Sequence, residues 1–237
     1  MIEKALKYLM GLKAPEVKEI GGQTYSDKPL HRISYNPKAE PIELNTLTSL
    51  VDYIISEFDE RDKLFVHVVS PTQVDVFSAL DCERTREKLL EVNALVPNFN
   101  FGQFIDHEGF CIGLQSKFLD VDDRDLLLRF AGTVEAGTVA QYGDDGVSQK
   151  ATVKTGVASK ADAVAPNPVT LSAYRTFLEV KQPSAKYVFR MRQGSIGNVQ
   201  CALFEADGGA WQIAAKDAIK TYLVSELDGL DGIVVIS

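Results

Sequence analysis

The chain has 237 residues, 45% of them apolar and 24% charged, with a formal net charge of -8. That is the balance of a globular protein with enough length for a sizeable core, not of a disordered chain. The negative charge opposes general affinity for a phosphate backbone, and three dispersed histidines with three dispersed cysteines lacking CxxC spacing leave no zinc motif.

The N-terminal stretch MIEKALKYLMGLKAPEVKEI puts Ile2, Ala5, Leu6, Leu9 and Met10 on one helical face. Charges interrupt any apolar h-region, so it does not read as a signal peptide. No run approaches the roughly 18 apolar residues that cross a bilayer. A cytoplasmic protein with reduced thiols and no membrane partner is expected.

Residues 21–40 are rich in Gly, Pro, Asn and Lys, with LHRISY as a strand inside them. NTLTSLVDYIISEF then predicts a helix capped by Thr46 or Asn45, with Leu47, Leu50, Val51, Ile54 and Ile55 at i, i+3, i+4 spacing. KLFVHVVS, TQVDVFSAL and EKLLEVNAL follow as β-branched and apolar runs separated by turn signals, which predicts an antiparallel meander. His67, between valines, reads as a packed or edge residue of the first strand.

FGQFIDHEGFCIGLQSKF places Phe101, Phe104, Ile105, Cys111, Ile112 and Leu114 near a 3.6 period, weakened by Gly109 and Gly113. Its triplet Asp106, His107, Glu108 reads as a solvated helix face, because adjacent helical residues point about 100° apart and cannot converge on one ion. DVDDRD has superficial calcium-loop spacing, but Asp125 and Ala131 stand where glycine and glutamate are required. It reads instead as a helix N-terminus, where carboxylates meet the positive end of the macrodipole. Residues 132–168, rich in Gly, Ala, Thr and Val, read as either a hairpin or a mobile, extended arm.

NPVTLSAYRTFLEV begins with a proline-delimited strand. KYVFRMRQ alternates, sending Tyr187, Phe189 and Met191 one way and Val188, Arg190 and Arg192 the other. QGSIGN supplies a turn and NVQCALFEAD the returning strand. The Gly208-Gly209 pair, a helix to about Leu227 and a short strand, GIVVIS, complete the chain. The pattern predicts an α+β fold with helices packed on antiparallel sheet and a strand-rich C-terminal half. Two parts are expected, 1–100 and 101–237, the second carrying the 132–168 arm.

Motifs for nucleophilic catalysis, nucleotide cradling and zinc proteolysis (GxSxG, GxGxxG, GxxxxGK[ST], HExxH) do not occur, so neither catalytic residues nor a cofactor are expected. Two features carry candidate chemistry. Arg175, Arg190 and Arg192 fall on neighbouring predicted strands with Tyr174, Phe177 and Tyr187 nearby, a combination that grips an anionic ligand or single-stranded nucleic acid. The plainer reading is a solvated strand face paired with acids. Glu205 and Asp207, on a regular strand, share a face about 6.5–7 Å apart and could hold one hard cation. The competing reading is a strand-to-helix hinge: glycines with positive φ, Asp207 favouring the helix amides, and Trp211 seated over Ala214 and Ala215.

The succession TVKTGVASKADAVAPNPVTLSAYRTFLEVKQPSAKYVFRMRQG with ALFEADGGAW, preceded by FGQFIDHEGF, resembles the YfdQ-like family of phage and prophage proteins over roughly residues 101–227. The resemblance implies a phage or prophage accessory protein in a bacterial cytoplasm, often near recombination functions, and transfers no catalytic site. Three functional expectations follow. The first is a non-enzymatic, homo-oligomeric binding or assembly module. The second is a helper in nucleic-acid processing that binds single-stranded DNA through Arg175, Arg190, Arg192 and Tyr187. The third is a metal-dependent enzyme built on Glu205 and Asp207.

Overall fold

In the computed structural model of the chain, residues 2–11, 15–29, 38–59, 63–136, 138–144, 149–155, 159–164, 167–194 and 198–237 are described. The backbone divides into two compact units, one up to Ala39 and one from Glu40 to Ser237. The expected boundary near residue 100 falls inside the second unit.

The first unit holds helix α1 (Ile2–Gly11) and a hairpin of β1 (Val17–Ile20) and β2 (Gln23–Ser26). Gly21 and Gly22, at φ of 61° and 77°, form the two-residue turn whose twist matches paired strands. Of the helical face expected here, the Leu9 and Met10 side chains lie outside the described residues, as does the LHRISY strand. No side chain described in this unit is buried.

The second unit is α+β. Its first layer is a five-stranded sheet, ordered β14-β4-β5-β6-β3. The members are β3 (Ile42–Leu44), β4 (Leu64–Ser70), β5 (Gln73–Ser78), β6 (Lys88–Asn93) and β14 (Ile233–Ile236). The β4-β5-β6 meander is antiparallel, as its alternation predicts. Both edges are added in parallel, β14 on β4 and β3 on β6. The sheet is therefore mixed. Helix α2 (Leu47–Ile55) starts where Thr46 accepts a hydrogen bond from the Ser49 amide, and it buries Leu47, Leu50, Val51 and Ile54. Ile55 faces out. These residues meet Val66, Val68, Val74, Val76, Leu90 and Val92 of the sheet and Ile219, Leu223 and Leu227 of a C-terminal helix, forming one core.

The second core lies under a four-stranded sheet, ordered β11-β12-β13-β7. It comprises β7 (Ile105–Asp106), β11 (Val169–Ser172), β12 (Ser184–Gln193) and β13 (Val199–Glu205), all paired antiparallel. Part of the turn expected between the last two strands, residues 195–197, lies outside the described residues. Helices α3 (His107–Lys117) and α4 (Arg124–Ala136) pack Phe110, Leu114, Leu127 and Phe130 against Tyr187, Phe189 and Leu203.

The α3 region corrects the sequence reading of FGQFIDHEGF. The helix begins only at His107, because Asp106 is its N-cap and accepts from the Gly109 amide at 2.8 Å. Asp106 is thus an exposed cap, His107 is buried and Glu108 is exposed. Gly113, which seemed to weaken the helix, sits where a Cβ would lie 3.0 Å from the Phe99 ring. Close packing, not turn chemistry, selects that glycine.

Ahead of α4, Asp123 accepts from the Thr170 amide and Asp122 from the Ser172 hydroxyl, tying the acidic segment to β11. The 132–168 segment contains an antiparallel three-stranded sheet, ordered β10-β9-β8, with β8 (Thr138–Asp144), β9 (Gln149–Thr155) and β10 (Ser159–Val164). Part of its DDG turn signal, residues 145–148, lies outside the described residues. Helix α5 (Ala210–Glu226) runs from the end of β13 to the first core. Among the described residues, no helix is long and apolar enough to cross a membrane.

Candidate functional site

Between β11 and β12 the chain leaves the sheet, so Arg175 lies in an irregular loop and not on the strand its sequence suggested. The buried Gln182 amide holds this loop. Its Oε1 accepts from the Arg175 and Thr176 amides at 2.9 and 3.2 Å, and its Nε2 donates to the Phe177 carbonyl at 2.9 Å. Thr176 donates its hydroxyl to the Pro71 carbonyl. Phe177 and Val180 enter the first core, while Arg175 turns toward the aromatic rim of the second.

The Arg175 side chain is only 8% exposed. Its guanidinium carbon lies 4.2 Å from the ring centroids of both Phe101 and Trp211, and 5.5 Å from that of Tyr187. Phe101 stacks on Tyr187 with 5.3 Å between centroids and 14° between planes. A buried cation is costly unless paired. The pair is supplied by Glu205, whose Oε1 accepts from Arg175 Nη2, and whose Cα stands opposite Tyr187 in the β12-β13 register. Three buried polar atoms of this cluster have no hydrogen-bond partner among the described residues: Arg175 Nη1, the Tyr187 hydroxyl and Trp211 Nε1. Burial pushes the Tyr187 phenol well above its usual range, opposed by the Arg175 charge and reinforced by Glu205 and Asp207.

The regular-strand geometry expected of Glu205 and Asp207 does not occur, because β13 ends at Glu205. Gly208 and Gly209 take φ of 64° and 83°, and Asp207 turns to accept from the amides of Gly209 and Trp211 at 3.1 and 3.2 Å. Glu205 binds Arg175 and Asp207 binds the start of α5, so each carboxylate already has its partner. Among the described residues no group of three or more His, Cys, Asp and Glu side chains is placed to hold a metal ion. The hinge reading of this stretch is the one the geometry matches.

Arg190 and Arg192 stand on the other face of β12. There the Arg192 guanidinium carbon lies 4.0 Å from the Phe104 centroid and its Nε donates to Gln200 at 2.9 Å. Phe104 meets Phe204 edge-on at 6.0 Å. Arg190 donates to the Phe189 carbonyl at 3.0 Å. The four candidate binding residues therefore separate into two places. Arg175 and Tyr187 join in a buried cluster, and Tyr187 is fully covered, while Arg190 and Arg192 share an outer face.

Phe101 and Gln182 escaped the sequence reading as site residues. Trp211 was legible as a hinge anchor but not as a neighbour of Arg175. Only the position of Gln182, just before a proline that ends local hydrogen bonding, gave any hint. Of the thiols, Cys82 is exposed and Cys201 is buried, where desolvation pushes its pKa up to about 12. Comparison of the chain with protein-family models, curated proteins and solved structures yields no match.

Proposed function

We propose that the protein is a non-enzymatic phage or prophage accessory protein that works as a homo-oligomeric binding or assembly module. The phage setting rests on the sequence resemblance alone. The observation that carries the assembly reading is the N-terminal unit. Ile2 is 78% exposed, Leu6 53% and Ile20 64%, and no described side chain of the unit is buried. Helices under about 12 residues are marginal in water, and so are isolated two-stranded hairpins. Such a unit gains order by covering its apolar side chains on another surface. A second copy fits, because the unit carries charges of both signs (Glu3, Lys4, Glu16, Lys18, Glu19) and a two-fold axis can set unlike charges opposite one another.

Light scattering tests this on the full chain and on a chain starting at Glu40, which retains both cores. The full chain is expected to form a discrete oligomer and the shortened chain a monomer. A 26.1 kDa monomer at high concentration for the full chain would refute the proposal.

A second reading, binding of single-stranded nucleic acid, is favoured by one observation: the outer face of β12 aligns Lys186, Arg190 and Arg192 beside Phe104 and Phe204. Anisotropy with labelled oligothymidine at low salt, where electrostatic affinity is greatest, decides it. Binding lost in the Arg190→Ala, Arg192→Ala double variant supports this reading, and none in the unaltered protein ends it.

A further inference from the structure

We propose that the Arg175 cluster is a carboxylate-binding site that Glu205 occupies as an internal competitor. The arrangement goes beyond what an ion pair requires. Arg175 Nη2 is matched by Glu205, yet Nη1 of the same guanidinium is buried with no acceptor among the described residues, as are the Tyr187 hydroxyl and Trp211 Nε1 on two of the rings packed near it. Arginine and indole nitrogens can only donate, and the tyrosine hydroxyl is free to do so. Leaving a buried donor unmatched is costly, and here the cation's own Nη1 is joined by two such donors on rings packed near it. Donors without acceptors around a positive charge, with aromatic rings as walls, describe a site for an oxygen anion.

The chemistry of the present occupant narrows the class. Glu205 presents a planar carboxylate to the guanidinium edge, and a ligand carboxylate would reproduce that contact while offering its second oxygen to the unmatched donors. Glu205 is also the wall that can move. Its side chain is 44% exposed, it is the last residue of β13, and Gly208 and Gly209 follow close behind. Arg175, by contrast, is fixed at its backbone by Gln182 and at its head by Phe101 and Trp211. Outward rotation of Glu205 exposes the guanidinium edge without unfolding the loop.

Trp211 is the only tryptophan, so its emission reports on this site alone. The full chain is titrated with sodium acetate at constant ionic strength, with inorganic phosphate and chloride as parallel arms. Removing the internal competitor raises the fraction of competent sites, so Glu205→Gln is expected to bind acetate at least about tenfold more tightly than the unaltered protein. Glu205→Ala should follow the same direction. Arg175→Lys, checked for folding by its melting transition, is expected to lose the saturable response. Equal or absent acetate responses in the unaltered and Glu205→Gln proteins would overturn the proposal. A saturable response to phosphate with none to acetate would overturn the carboxylate assignment.

Discussion

Gln182 shows how much one buried side chain can organise. Its amide bonds to backbone groups of Arg175, Thr176 and Phe177, a loop that has no ladder to satisfy them. Gln182→Ala strands those groups and is expected to destabilise the protein by about 3 kcal/mol, measurable as a shifted denaturant midpoint. Cys201 offers a second test at this scale. Its folded pKa, about 12, lies above the ordinary 9.0, so between those values the unfolded chain loses a proton that the folded chain keeps. Stability from this group is therefore complete below pH 9 and declines as pH rises toward 12. Thiol labelling of the native protein should modify the exposed Cys82 readily and Cys201 only on unfolding.

Among the elements, those with their own periodicity were legible. Helices α2 and α5, the β4-β5-β6 meander and the alternation of β12 follow from the sequence, including the shared direction of Tyr187, Phe189 and Met191. The parallel edges β3 and β14 were not, because no residue in a short apolar strand records which distant strand it joins. The Arg175 cluster was hidden for the same reason. Phe101 and Arg175 come from segments distant from the hinge that carries Glu205 and Trp211, and only packing gives their meeting point. Alternation sends Tyr187 and Arg190 to opposite faces, yet the sequence reading still grouped both with Arg175 and Arg192 as one binding set.

The start of α5 gives the prediction proper to this scale. Asp207 bonds two backbone amides at a helix whose N-cap position is Gly209, a residue with no side chain to contribute. Asp207→Ala is expected to cost about 1 kcal/mol of stability, with Asp207→Asn costing less. Equal melting temperatures for Asp207→Ala and the unaltered protein would show that the two bonds contribute nothing.

At the scale of the whole molecule, both buried cores belong to the unit from Glu40 to Ser237, while the unit before it has none among its described side chains. That division makes the melting temperature a probe of association. If the N-terminal unit joins copies, the full chain should melt at higher temperature as its concentration rises. The chain beginning at Glu40 should melt at one temperature throughout. Concentration-independent melting of both would separate the N-terminal unit from any role in assembly.

The parallel pairing of β14 with β4, which sets Ile233 beside Leu64, has a kinetic consequence. The hairpins of the meander close over short loops and can form early. The edge strand must instead find its place across nearly the full length of the unit, from Ile233 back to Leu64. Rates fall as such distant pairings accumulate, so refolding should show the meander protected from hydrogen exchange before β14. The sheet would thus spend part of every folding event with the β4 edge unpaired, the interval in which this chain is most open to pairing with a neighbour's strand.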